Sequence, residues 1–179
     1  MSHSLYICIS YISYPVLMLS LDSLIATAAL SGAVRPRQYA PLALMFGACD
    51  LAASGVAPVL SAHLAASGLA AALDAWVLEL VSLVPWLLLS GLLMLSASAT
   101  RARSPSPSAF AYLMPPLFAL DNLVIPSASP VLAGLLSCAM AAAGFALGSA
   151  VLHRLCPPAA RPVWAAGLAV IAMALQLAG

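Results

Sequence analysis

Three carboxylates stand inside stretches that are otherwise apolar: Asp22 within Met18–Gly32 (MLSLDSLIATAALSG), Asp50 shortly after Phe46, and Asp121 beside Asn122 in the second half of the chain. Each charged carboxylate at a bilayer centre costs about 2.5–3.5 kcal/mol on insertion scales. All six basic residues are arginines, and none falls within an apolar run, so a buried salt-bridge network does not explain the acids. Two roles remain: protonated groups hydrogen-bonded between helices, or ligands of a cation. Asn122 adds a neutral amide oxygen, and Pro126 interrupts helical hydrogen bonding just beyond it, which frees a backbone carbonyl as a further ligand. Carboxylate, amide, hydroxyl and carbonyl oxygens make a hard donor set suited to Mn²⁺, Mg²⁺ or Ca²⁺. Cys49 and Cys138 would tilt such a site towards Cd²⁺ or Zn²⁺, although a cysteine in an apolar helix more commonly serves as a small filler.

The elements that position these groups follow from composition. Of 179 residues, 64% are hydrophobic and 6% charged, against roughly 25% charged in soluble domains. An integral membrane protein is the expectation, all-α, with no separate soluble domain. A span needs about 20 apolar residues, and the Pro, Gly, Ser and Arg punctuation predicts six transmembrane helices at about 11–33, 41–63, 77–98, 109–128, 131–152 and 162–179. The N-terminal run lacks a basic region and an Ala-x-Ala boundary, so it reads as the first span after a short tail and not as a cleaved signal. Cys8, Cys49, Cys138 and Cys156 form no Cys-x-x-Cys pair, and neither a disulfide framework nor a zinc knuckle is signalled. No basic run exists to track phosphates, which sets nucleic acid aside.

The arginines occupy three loops, Arg35 and Arg37, Arg101 and Arg103, and Arg154 and Arg161. Cytoplasmic loops accumulate Arg and Lys, so these loops are expected inside and both termini outside. Asp74 and Glu79 fall on the opposite surface, as a solvated helix start or an acidic vestibule for cations. His3, His63 and His153 read as interfacial, and Tyr6, Tyr11, Tyr14, Trp76 and Trp164 as interface anchors.

The halves echo one another. Leu21-Asp22-Ser23-Leu24 is matched by Leu120-Asp121-Asn122-Leu123, Cys49-Asp50-Leu51-Ala52-Ala53-Ser54-Gly55 by Cys138-Ala139-Met140-Ala141-Ala142-Ala143-Gly144, and Ser90-Gly91-Leu92 by Ala166-Gly167-Leu168. The order pairs spans one with four, two with five and three with six. Units of three spans enter the membrane from opposite sides, which predicts two inverted three-helix repeats, 1–98 and 109–179, joined by a cytoplasmic linker 99–108. Stepping by three or four from Asp50 gives Ala43, Gly47, Asp50, Ser54, Ala57 and Ser61, a small or hydroxylated stripe. The equivalent stripe in the fifth span is Gly134, Ser137, Ala141, Gly144 and Gly148, and its Gly-x-x-x-Gly is accounted for by helix packing. The metal-ligand candidates are therefore Asp22, Asp50, Asp121 and Asn122, with Ser23, Gly47, Ser54, Cys49 and Cys138 beside them or along the pathway.

The pattern resembles the MntP-type manganese efflux pumps, six-span proteins of the broader LysE-type superfamily with a three-plus-three repeat. The resemblance rests on Leu21-Asp22-Ser23-Leu24 with small residues to Gly32, on Phe46-Gly47-Ala48-Cys49-Asp50, on Asp121, and on Ala165-Ala166-Gly167-Leu168-Ala169-Val170-Ile171. Asn122 and Pro126 stand where that family has small and glycine residues. Cadmium-resistance and TerC-like exporters, with Asp-Asn pairs in their spans, are similar too. The resemblance implies an inner-membrane exporter of a divalent metal, Mn²⁺ first, exchanged for protons. Its partners would be the metal ion, protons and the lipid bilayer, with a second copy of the chain as a candidate and no permanently bound cofactor. Rival readings are a transmembrane thiol-redox conduit through Cys49 and Cys138, and an exporter of amino acids or other small solutes on the same scaffold. An intramembrane aspartyl hydrolase is disfavoured because no Tyr-Asp and Gly-x-Gly-Asp pair is present, so no enzyme is expected.

Overall fold

The computed structural model describes residues 21–67, 83–91, 93–94, 108–124, 129–157 and 160–178, and among these every regular element is helical. Helix α1, Leu21–Leu30, closes in a turn in which Val34 N–H donates to the Leu30 carbonyl. Pro36 then opens a 3₁₀ turn, Pro36–Gln38, and the Gln38 side chain accepts from Arg35 N–H at 3.0 Å. Helix α2 runs from Tyr39–Ala66 and α3 covers residues 83–91. Helix α7, Pro130–Leu155, begins with proline, whose missing N–H costs nothing at that position, and Ser129 caps it by accepting from Leu132 N–H. Helix α8 is Arg161–Ala178, and Arg161 Nε donates to the Cys156 carbonyl just past the end of α7.

The span expected at 109–128 is not one helix. It is broken into α4 Ser108–Ala111, α5 Met114–Phe118 and α6 Asp121–Val124. The cause is Pro115-Pro116: neither has an N–H to continue the helix from Ala111, and both sit instead in the first turn of α5, where no donor is needed. The join between α5 and α6 is held by tighter i to i−3 bonds, Asn122 N–H to Ala119 and Leu123 N–H to Leu120. Asp74, Glu79, Arg101, Arg103, Pro126, Cys8, His3, Trp76 and the N-terminal tyrosines lie outside the described residues.

Two segments, Pro36–Ala66 and Pro130–Leu152, are long and apolar enough to cross a membrane. Their outward positions are apolar too: Leu44, Val56 and Val59 on α2 and Leu135, Leu147 and Leu155 on α7 are exposed. A helix apolar on all sides is one enclosed by a large core or by a membrane.

Helix α7 organises the bundle through glycines. A Cβ on Gly47 would lie 2.7 Å from both Cys138 Cβ and the Gly134 carbonyl oxygen, and one on Gly134 would lie 2.7 Å from the Gly47 carbonyl oxygen and 2.8 Å from Leu51 Cβ. As Gly47 meets Cys138 while Leu51 meets Gly134, α2 and α7 run antiparallel, backbone against backbone. On its next face α7 meets α1. A Cβ on Gly144 would strike Thr27 Oγ1 and the Leu24 carbonyl, and one on Gly148 would strike the Ala28 carbonyl and lie 2.5 Å from Ser31 Oγ. Here the positions rise together, so α1 and α7 run parallel. Small residues permit this close approach of the backbones. Aromatic rings fill the rest: Tyr39 stacks on Phe145 at 4.6 Å, and Trp86 stands edge-on to Phe118 at 4.8 Å, with Phe46 beyond.

Candidate functional site

Where α1, α2, α6 and α7 meet, the core turns polar. Ser23, Thr27, Asp50, Ser54, Asn122 and Ser137 are all buried, with Asp50 2% and Asn122 4% exposed. The stripe on α2 explains how Asp50 reaches this place: Ala43, Gly47, Asp50, Ser54 and Ala57 are buried and form the face that meets α7, while Ser61 at its far end is exposed. Asp50 lies 11 residues into α2, hence about 16 Å along the axis at the helical rise. That is about half the thickness of a hydrocarbon core.

The carboxylate is held from the other half of the chain. Ser137 Oγ on α7 donates to Asp50 Oδ2, Ser23 Oγ on α1 donates to Ser137 Oγ at 3.4 Å, and the Asn122 side chain on α6 lies beside the Asp50 carboxylate. Thr27 is occupied within its own helix, donating to the Ser23 carbonyl at 2.6 Å. Asp50 Oδ1, Asn122 Oδ1 and Ser54 Oγ are buried and have no hydrogen-bond partner among the described residues. Buried polar atoms are normally satisfied, so three such oxygens in one cluster ask for a ligand that supplies positive charge or protons.

Of the residues expected to bind metal, the structure brings Asp50 and Asn122 together, with Ser54 and Ser23 in the same cluster. Asp22 is half-buried, one residue before Ser23 and so rotated about 100° from the direction that meets Ser137. Asp121 opens α6, and its side chain is not among those described. No group of three His, Cys, Asp or Glu side chains able to hold a metal forms among the described residues. The converging oxygens come instead from one carboxylate, one amide and hydroxyls. Cys49 and Cys138 are half-buried free thiols, and Cys138 is the residue against which Gly47 packs. Gly144 and Gly148 of α7 pack against α1 as described above. Ser137 is the partner that sequence reasoning did not assign. Its place on the fifth-span stripe was visible, but nothing in the sequence pairs it with Asp50.

Compared with protein-family models, curated proteins and solved structures, the chain matches none. What the cluster does must therefore be argued from its own chemistry.

Proposed function

We propose that the chain is a multi-pass inner-membrane exporter of a divalent metal cation, Mn²⁺ first among candidates, that exchanges the metal for protons. The observation that carries this reading is Asp50: a carboxylate buried in the middle of an apolar helix, hydrogen-bonded by a neutral hydroxyl, whose own Oδ1 and the Oδ1 of Asn122 and Oγ of Ser54 lack a partner among the described residues. A helix-packing role would call for satisfied oxygens; a cation or proton passing through calls for available ones.

Three further features support it. The cluster draws Ser23, Asp50 and Ser54 from the first half and Asn122 and Ser137 from the second, the arrangement of inverted-repeat transporters whose site sits between the repeats. Asn122 is carried by a broken helix, the element from which such sites are built. Helices α1 and α7 are parallel and α2 opposes them, as the alternation of spans one, two and five requires. A Cβ on Gly32 would lie 3.7 Å from Arg161 Cβ, so the Arg35–Arg37 and Arg154–Arg161 loops share one end of the bundle, which the positive-inside rule assigns to the cytoplasm.

In the proposed cycle the metal enters from that end, sheds water onto the cluster oxygens, and leaves on the far side when protons compete for Asp50. Asp22 and Asp121 flank the cluster in sequence and would supply the second negative charge. Exporting two charges costs about 4.6 kcal/mol per 100 mV, and two protons moving inward offset it. The test is cellular metal content by elemental mass spectrometry in metal-stressed cells without their own exporters. The intact chain should lower Mn, and Asp50→Ala and Asp22→Ala should not, at equal membrane abundance. No change in any metal with the intact chain would overturn the reading.

A further inference from the structure

The cluster contains one group that neither the acids nor the resemblance singles out as a ligand, Ser54. We infer that Ser54 binds the transported cation directly and sets its preference for hard over soft metals, an inference that rests on the export reading above. Ser54 is wholly buried and its Oγ has no partner among the described residues, whereas the cluster's other serines are engaged: Ser23 donates to Ser137, and Ser137 to Asp50. It follows Asp50 by one helical turn, which places the two side chains on one face of α2. The unpartnered Asp50 Oδ1 and Asn122 Oδ1 belong to the same cluster. Asn122 lies beside Asp50, and its own side-chain carbonyl oxygen is buried with no partner among the described residues.

A second feature marks the next turn of α2. Pro58 lies inside α2, four residues after Ser54, and has no N–H to donate to the Ser54 carbonyl. That carbonyl points along α2 toward Pro58, so what Ser54 brings beside Asp50 is its hydroxyl. With a carboxylate and an amide oxygen, the donors are all hard. This composition favours Mn²⁺, Mg²⁺ or Ca²⁺, and a thiolate among them would favour Cd²⁺ or Zn²⁺.

The experiment uses the purified full chain in detergent, titrated with Mn²⁺ or Cd²⁺ alone, comparing the natural protein with Ser54→Ala and Ser54→Cys. Ser54→Cys changes one atom, and thermal unfolding of each variant establishes that it is folded. Loss of the hydroxyl in Ser54→Ala should weaken Mn²⁺ binding at least about tenfold without strengthening Cd²⁺, the scale on which metal-site substitutions act. Ser54→Cys should shift the Cd²⁺-to-Mn²⁺ affinity ratio by about a hundredfold or more and add the ultraviolet charge-transfer band of a Cd–thiolate bond. Mn²⁺ affinity in Ser54→Ala within twofold of the natural protein, with no new band in Ser54→Cys, overturns the inference and leaves export standing. An equal band in the natural protein also overturns it, since the cysteines would then be the ligands. If the shifts appear but vesicles carrying the protein move no metal, export fails and the ligand assignment stands. If the natural protein binds neither metal, both fail.

Discussion

Replacing Gly47 with alanine tests whether the α2–α7 contact holds the polar cluster together. The added Cβ would sit 2.7 Å from Cys138 Cβ and from the Gly134 carbonyl oxygen. Non-bonded carbon atoms settle at about 3.5–4.0 Å. Both obstacles are backbone or Cβ atoms that no rotamer change removes, so the helices must part by about 1 Å. Overpacking of this kind costs about 1–3 kcal/mol. Asp50 lies one turn from Gly47, so the same movement stretches its bond from Ser137, and a hydrogen bond to a charged group contributes about 1.5–3 kcal/mol. The summed loss is about 2.5–6 kcal/mol. Gly55 is the control: it lies in the same helix with nothing within 4 Å of its added Cβ. Gly55→Ala should be neutral or stabilising by up to about 1 kcal/mol, because alanine is the better helix former. Reversible unfolding in mixed micelles, followed by circular dichroism, measures both. Equal midpoints for the two variants would refute the reasoning, since the backbone contact would then carry no stability.

Two predictions extend this. Ser137→Ala and Asp50→Asn, combined in a double-mutant cycle, should couple by at least about 1 kcal/mol in the same unfolding assay, because the two side chains share a buried bond; additive effects would show that bond to be energetically silent. Cys49→Ser with Cys138→Ser should leave metal export largely intact, because the cluster's donors are oxygens; abolished export with normal membrane abundance would instead favour the thiol conduit.

Much of the architecture is legible in the residues because hydropathy acts over long windows. Apolar runs of spanning length mark α2 and α7, and the small stripe from Ala43 to Ala57 marks the face that is buried. Pro115-Pro116 is equally local, and its power to divide a helix could have been read from the residues alone, although the expectation here was a single span. Spacing alone also puts Ser54 on the face of Asp50.

Which faces meet was decided by the tertiary structure. A helical residue turns about 100° from its neighbour, so a motif such as Asp22-Ser23 does not say which member points at another helix. That depends on how closely the helices approach, and here the approach is set by Gly47 against Gly134 and by Gly144 and Gly148 against α1. Through those contacts Ser23 meets Ser137, Ser137 meets Asp50, and Asn122 arrives beside them from a broken helix. The sequence by itself determined that carboxylates would be carried into an apolar bundle, because burial of long runs leaves them no alternative. Only the packing of glycine-thinned backbones determined which carboxylate is enclosed and which oxygens surround it.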